Sequence, residues 1–170
     1  MKPIAALAAV LFWGVLTMWA PERWVLSLYQ AGALLLCAVY ASTSKIHWHP
    51  LLACLAVPPL GGLLQIAFGA TIYGWETSNS VLNWTTNLAV FFVALQFSAD
   101  RRLRDFFLEL LLYFGFALSI LSTLQMFTSG GKIFWLFPSG YTDFIMGPFP
   151  NRNQYAAFIE IILPLALFRV

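Results

Sequence analysis

The sequence predicts an all-α, polytopic transmembrane helix bundle of about six spanning helices with its N-terminus in the cytoplasm. Three observations carry that expectation. Hydrophobic residues make up 61% of the 170-residue chain and charged residues only 9%, a balance suited to a chain dissolved mostly in lipid. Apolar runs of about 20 residues recur, the length that crosses hydrocarbon at a helical rise of roughly 1.5 Å per residue. Trp24, Trp48, Trp75, Trp84 and Trp135 flank those runs, where amphipathic rings settle at headgroup depth.

The first run, Pro3 to Ala20, follows Lys2 in the manner of a signal peptide, but it ends in Met18-Trp19-Ala20-Pro21 with no small-x-small cleavage site. It is therefore read as a retained helix. After the turn Pro21-Glu22-Arg23 comes Trp24 to Ala41, and after Ser42 to His49 comes Pro50 to Tyr73. The turn Gly74 to Ser80 leads into Val81 to Ala99, and Asp100 to Asp105 leads into Phe106 to Phe127. The chain thus divides into a five-helix transmembrane region over 1–127, a loop over 128–152 and a sixth helix over 153–170, whose apolar run is Asn153 to Arg169. In the third run, Pro58-Pro59 and Gly61-Gly62 remove backbone donors and bulk at membrane depth, which only neighbouring helices or a cavity can compensate. Two readings stay open: a packed kink, or a break lining a substrate path.

Basic residues set the expected orientation. Arg101, Arg102 and Arg104 crowd one turn, which positive-inside bias places in the cytoplasm, and alternation puts Lys2, Lys45 and Arg169 there too, leaving Arg23, Lys132 and Arg152 outside. The loop over 128–152 then faces the periplasm or exterior, its Ser-Gly-Gly-Lys and Pro-Ser-Gly-Tyr pieces turning around a Trp/Phe-rich strip suited to the interface. A formal net charge of +2, with no Lys/Arg cluster among exposed aromatics, excludes nucleic acid as a partner. Cys37 and Cys54 fall inside apolar runs and read as small buried hydrophobes. His47 and His49 are too few for a metal site and are given no role; no metal and no cofactor are expected. Asn83 and Asn87, like Ser119, Ser122 and Gln125, are expected to hydrogen-bond between helices.

The chemistry concentrates in Gly147 to Leu167, GPFPNRNQYAAFIEIILPLAL. Asn151 stands at an N-cap, with Gln154 completing a capping-box pattern. Helical periodicity aligns Asn153, Ala157, Glu160 and Pro164 on one face, which is expected to point into the bundle, with Glu160 roughly 10 Å below Asn153. A helix N-terminus carries unpaired N–H groups and partial positive charge, and Arg152 adds a fork of donors matched to phosphate oxygens. On the outer surface such a site suits the diphosphate of a lipid carrier. The plainer alternative is a capped helix whose Arg152 snorkels to phospholipid and whose Glu160 bonds a neighbouring helix.

The run Leu124-Gln125-Met126-Phe127-Thr128, then Gly131-Lys132-Ile133-Phe134-Trp135, then Gly147 to Ala157, and finally Glu160 with Leu163-Pro164-Leu165-Ala166-Leu167 resembles the bacterial O-antigen ligase family of ligases and polymerase-like proteins. The specific match covers roughly 124–167. The resemblance implies a multi-pass glycosyltransferase of the bacterial inner membrane that moves a glycan from an undecaprenyl-diphosphate carrier to an acceptor sugar, in lipopolysaccharide or exopolysaccharide assembly, without a nucleotide sugar or an essential metal. It places Arg152, Asn151 and Asn153 near the diphosphate, with Lys132 and Glu160 as further substrate-binding candidates. Donor, acceptor and membrane lipids are the implied partners. Family members usually continue into further helices and a large periplasmic loop with functional Arg and His, so the chain is expected to be an N-terminal portion without a complete active site. Many also carry an arginine shortly before the glycine matching Gly147, where this chain has Asp143, Phe144 and Ile145. A small transporter or channel subunit, with Glu160 and the break at 58–62 lining a path, and a non-catalytic membrane subunit are the competing expectations.

Overall fold

A computed structural model of the chain describes residues 2–140 and 145–168. Arg169, Tyr141, Asp143 and Phe144, which entered the sequence reading, lie outside the described residues. Among the described residues six helices follow one another: α1 (Lys2–Thr17), α2 (Arg23–Thr43), α3 (Pro50–Ala67), α4 (Gly74–Ser98), α5 (Arg101–Thr128) and α6 (Arg152–Leu167). Between α5 and α6 lies an antiparallel pair of two-residue strands, β1 (Lys132–Ile133) and β2 (Phe137–Pro138). Among the described residues, the four helices α2 to α5 are long and apolar enough to cross a membrane; α1 is apolar but shorter, and α6 has 16 residues.

Several boundaries differ from those predicted, each for a local reason. α3 ends at Ala67 and does not run on to Tyr73. Gly69, at φ 64°, takes the left-handed position after the helix, so that its N–H reaches the Ile66 carbonyl and the Ala70 N–H reaches that of Gln65. Those two bonds form a Schellman close, and they use up carbonyls the helix leaves free. α4 begins at Gly74, so the polar stretch to Ser80 is its first turns. Thr77 and Ser78 bond back to the carbonyls of Tyr73 and Gly74, and Glu76 sits in the first turn where the helix dipole favours an acid. Asp100 caps α5 by accepting the N–H groups of Arg102 and Leu103 at 2.8 and 3.4 Å. Arg101, Arg102 and Arg104 therefore belong to the helix, not to a turn before it.

α4 is the central post. Ile4 and Leu7 of α1 bury against its Val93 and Phe97, with Leu103, Phe106 and Phe107 of α5 closing that end. Tyr40 of α2 meets Phe92 and Phe97 edge-on at 6.3 and 5.2 Å between centroids, the favoured quadrupolar arrangement. Midway along, the buried Gln30 of α2 donates to Asn83 Oδ1 at 2.7 Å, an interhelical bond of the kind expected for the fourth helix. Cys37 is half-buried, but Cys54 is exposed on α3, contrary to the buried role expected for it.

α3 passes Pro58 and Pro59 as one helix, and Pro59 is buried. The glycine pair two residues on has two different faces. A Cβ at Gly62 would stand 2.4 Å from Val81 Cγ2 of α4, whereas one at Gly61 meets nothing within 4 Å. Close backbone approach through a small residue thus seats α3 on α4. Gly62→Val is expected to cost about 1–3 kcal/mol through overpacking, while Gly61→Ala leaves stability unchanged or slightly raised, since Ala is the better helix former. Thermal unfolding of the two variants in detergent measures the contrast, and equal destabilisation would refute this account of the α3–α4 seam.

Candidate functional site

The end of α5 builds the platform. Gln125 is fully buried, and its amide works as a fork: Nε2 donates to the Gly147 carbonyl at 3.1 Å, and Oε1 accepts the Phe134 N–H at 3.1 Å. One side chain thereby holds two points of the loop that are far apart in sequence. Sequence reading had assigned Gln125 to helix–helix contact; its partners are loop backbone, because the loop folds back over α5.

The loop itself is packed rather than laid out as a surface strip. Ile133 pairs with Phe137 across a turn in which Phe134 and Trp135 take φ values of 49° and 61°. Such left-handed backbone is costly for side chains of this size and persists only where neighbours fix it. Here the Gln125 amide fixes Phe134, and Trp135 donates its indole N–H to Thr128 Oγ1 at 2.9 Å. Phe137 meets Trp19, just beyond α1, at 4.6 Å between rings. A second tight turn follows at Gly147-Pro148, where Met146 and Phe149 exchange backbone bonds of 3.2 and 3.0 Å. Gly147 has φ 63°, and a Cβ there would lie 2.5 Å from Ser122 Oγ. Ile145, Pro148 and Phe149 are buried. Ile145 serves the core of this turn. The Ser122 hydroxyl is buried beneath this turn without a partner among the described residues.

α6 starts on that platform. Asn151 Oδ1 accepts the Asn153 N–H at 2.8 Å, and the Asn151 carbonyl receives the N–H groups of Gln154 and Tyr155. The N-cap is as predicted, although the cap closes on the second helical residue and no reciprocal bond from the Gln154 side chain appears among the described residues. Phe149 packs on Tyr155 and Phe158 at 5.7 and 5.3 Å, and Phe158 in turn meets Phe114 of α5 edge-on at 6.4 Å. Further along, Ile162 fills the space over Gly115, where a Cβ would come within 2.6 Å.

These contacts overturn the predicted facing of α6. Asn153, Ala157, Glu160 and Pro164 are all exposed, and the aromatic and aliphatic side packs on α5. Among the described residues α6 packs mainly on α5, and the side that fits it is the one that sets Phe158 against Phe114 and Ile162 over Gly115. Asn151, Arg152 and Asn153 stand together on the first turn, all exposed; Lys132 is exposed on β1 in the same docked loop; Glu160 lies about two turns along α6. No bond joins these five residues beyond the cap itself among the described residues.

Chain alternation puts this loop at the same end of the bundle as the starts of α2 and α4. There Arg23 lies over the Trp75 ring at 4.2 Å and donates to Asn79 Oδ1, so its guanidinium is committed to tying α2 to α4. Lys132 and Arg152 make no ion pair among the described residues, whose acids at the same end include Glu22 and Glu76. No cluster of three or more metal-ligating side chains occurs among the described residues. No family model, no curated protein and no solved structure matches the chain.

Replacing Gln125 with Leu strands a buried carbonyl and a buried N–H, so a loss of about 1–3 kcal/mol is expected for each, together with faster proteolysis between Gly130 and Met146. Gly147→Ala combines left-handed strain with the Ser122 contact and is expected to destabilise strongly. In a Ser122→Ala background, where the orphan hydroxyl is gone, the same substitution costs less. Melting temperatures of the two single variants and the double variant read that coupling, and simple additivity would refute it.

Proposed function

We propose that this chain belongs to a membrane glycosyltransferase of the O-antigen ligase and polymerase type. It transfers a glycan from an undecaprenyl-diphosphate carrier to an acceptor sugar during lipopolysaccharide or exopolysaccharide assembly at the bacterial inner membrane. The observation that carries this reading is the first turn of α6: a capped helix start bearing Arg152, exposed and free of ion pairs among the described residues, held on a loop that Gln125 and Phe149 anchor. The resemblance over 124–167 supports it.

In this reading α1 and α6 join α2 to α5 as six spans, the N-terminus and the arginines of α5 lie in the cytoplasm, and α6 opens at the periplasmic surface. The helix N-terminus and Arg152 hold the diphosphate, the guanidinium by paired bonds to its oxygens. Negative charge grows on the leaving diphosphate as the glycosyl bond breaks, and fixed cationic donors lower that barrier. Lys132 adds a second cation from the docked loop, and Asn153 offers amide bonds to head group or sugar. Asn151 acts through its cap, keeping the first turn in register. Glu160, down the helix, is assigned to substrate contact on the face that α5 leaves open. The reaction needs no nucleotide sugar and no cofactor, and the catalytic residues remain unassigned.

The exposure of Glu160 favours a second reading, in which the chain is a transporter, channel or non-catalytic subunit whose partner covers that face. Binding of an undecaprenyl-diphosphate probe to the complete protein separates the two. Arg152→Ala is expected to weaken it about tenfold or more, the scale of a lost charged hydrogen-bond pair, with Glu160→Gln altering transfer and not ion flux. Unchanged probe affinity in Arg152→Ala would remove the diphosphate role, and reconstituted flux abolished by Glu160→Gln would establish the transport reading.

A further inference from the structure

A second feature lies at the opposite end of the bundle. α2 and α3 each pack on α4 but make little contact with one another, and a slot of about 520 Å³ remains between them. Ala89 and Phe92 of α4 form its floor, with Cys37 of α2 and Ala56 of α3 on the walls. Small side chains keep it open. The hydroxyl of Thr85, which also reaches it, is spent on the Val81 carbonyl at 2.7 Å. The lining is almost wholly aliphatic and aromatic and offers little to recognise a polar ligand, which suits hydrocarbon as its occupant.

The loop from α2 to α3 closes one end of the slot with Ile46 and Trp48. That loop is pinned by the same device seen at the other end of the molecule. The buried Gln96 accepts the His47 N–H at 2.8 Å and donates to the His47 carbonyl at 2.9 Å. The pinned collar is basic. Lys45, His47 and His49 alternate with Ile46 and Trp48, every one exposed, and no acidic residue occurs between Glu22 and Glu76. Gln96 stands close to the α4–α5 junction, where Asp100 is spent capping α5 and Arg101, Arg102 and Arg104 outnumber Asp105. A hydrocarbon slot whose mouth is cationic complements an anionic amphiphile.

We propose that this slot binds one acyl chain of an anionic phospholipid, with Lys45 as counter-charge to the headgroup phosphate and Trp48 seated at headgroup depth. It is independent of the glycosyltransferase reading. The bound lipid fills the seam between α2 and α3 and acts as a structural element of the bundle.

Native mass spectrometry of the purified full chain, titrated with phosphatidylglycerol or phosphatidylcholine of equal chain length, tests it. One phosphatidylglycerol is expected to be retained at least tenfold more tightly than phosphatidylcholine. Ala53→Trp, which fills the slot from an exposed wall position, abolishes retention, and Lys45→Gln lowers the preference about fivefold. Should Ala53→Trp fail to fold, wild-type protein in vesicles carrying brominated acyl chains supplies the second measure. Brominated phosphatidylglycerol quenches the fluorescence more than brominated phosphatidylcholine does, and the excess disappears in Trp48→Phe. Equal retention of the two lipids, undiminished retention in Ala53→Trp, or quenching indifferent to headgroup and to Trp48 each overturns the proposal.

Discussion

Burying a backbone N–H or carbonyl without a partner costs several kcal/mol, and helices discharge that constraint everywhere except at their ends and in the connections between them. In this chain two connections, one packed over α5 and one exposed, each depend on a buried glutamine to satisfy backbone groups that no helix serves. Gln125 serves Phe134 and Gly147; Gln96 serves both polar groups of His47. A primary amide suits the task because it presents a donor and an acceptor from one planar group. Glutamate would set a carboxylate against a carbonyl oxygen, and leucine would leave both sites empty. The placement of α6 follows directly from the first of these forks, since Phe149, two residues beyond Gly147, supplies the ring on which Tyr155 and Phe158 settle.

Helix packing obeys a complementary rule in which the absence of a side chain sets the distance. Gly62 admits Val81, and Gly115 admits Ile162. Apolar helices gain little from burial against lipid alone, so contact through small residues and a few internal polar bonds decides which faces meet. Arg23 is used in this sense: its stacking on Trp75 and its bond to Asn79 make it a tie between helix starts. Of the cations described at that end of the molecule, Lys132 and Arg152 are the ones left without such a tie.

Composition and run length were enough to read the class of fold and the existence of all six helices, because periodicity and hydropathy are properties of each segment by itself. The Asn151 cap was legible for the same reason, as was the polar start of α6. Helix ends were less so. The Gly69 close of α3 was visible in principle as a glycine after an apolar run, whereas the polar opening of α4 looked like a turn because Thr77 and Ser78 can serve either state. Facing was the part the chain does not spell out locally. Whether Glu160 turns toward α5 depends on which neighbours α6 has, and that is a tertiary fact. Gln125 and Ser122 were recognised as polar residues in an apolar helix, but nothing in their spacing said that the loop would be what meets them.

The Gln125 fork also orders events in time. Phe134 and Gly147 are well separated along the chain, and both must reach one amide that exists as a rigid point only once α5 has formed. Phe134 and Gly147 stand 9 and 22 residues from Gln125, closures much shorter than the one that brings α1 onto α5, so little chain entropy opposes the loop once α5 exists. The closed loop completes the aromatic seat of α6, so α6 docks only after the loop has closed, and until that moment Phe158 and Glu160 are equally without a place.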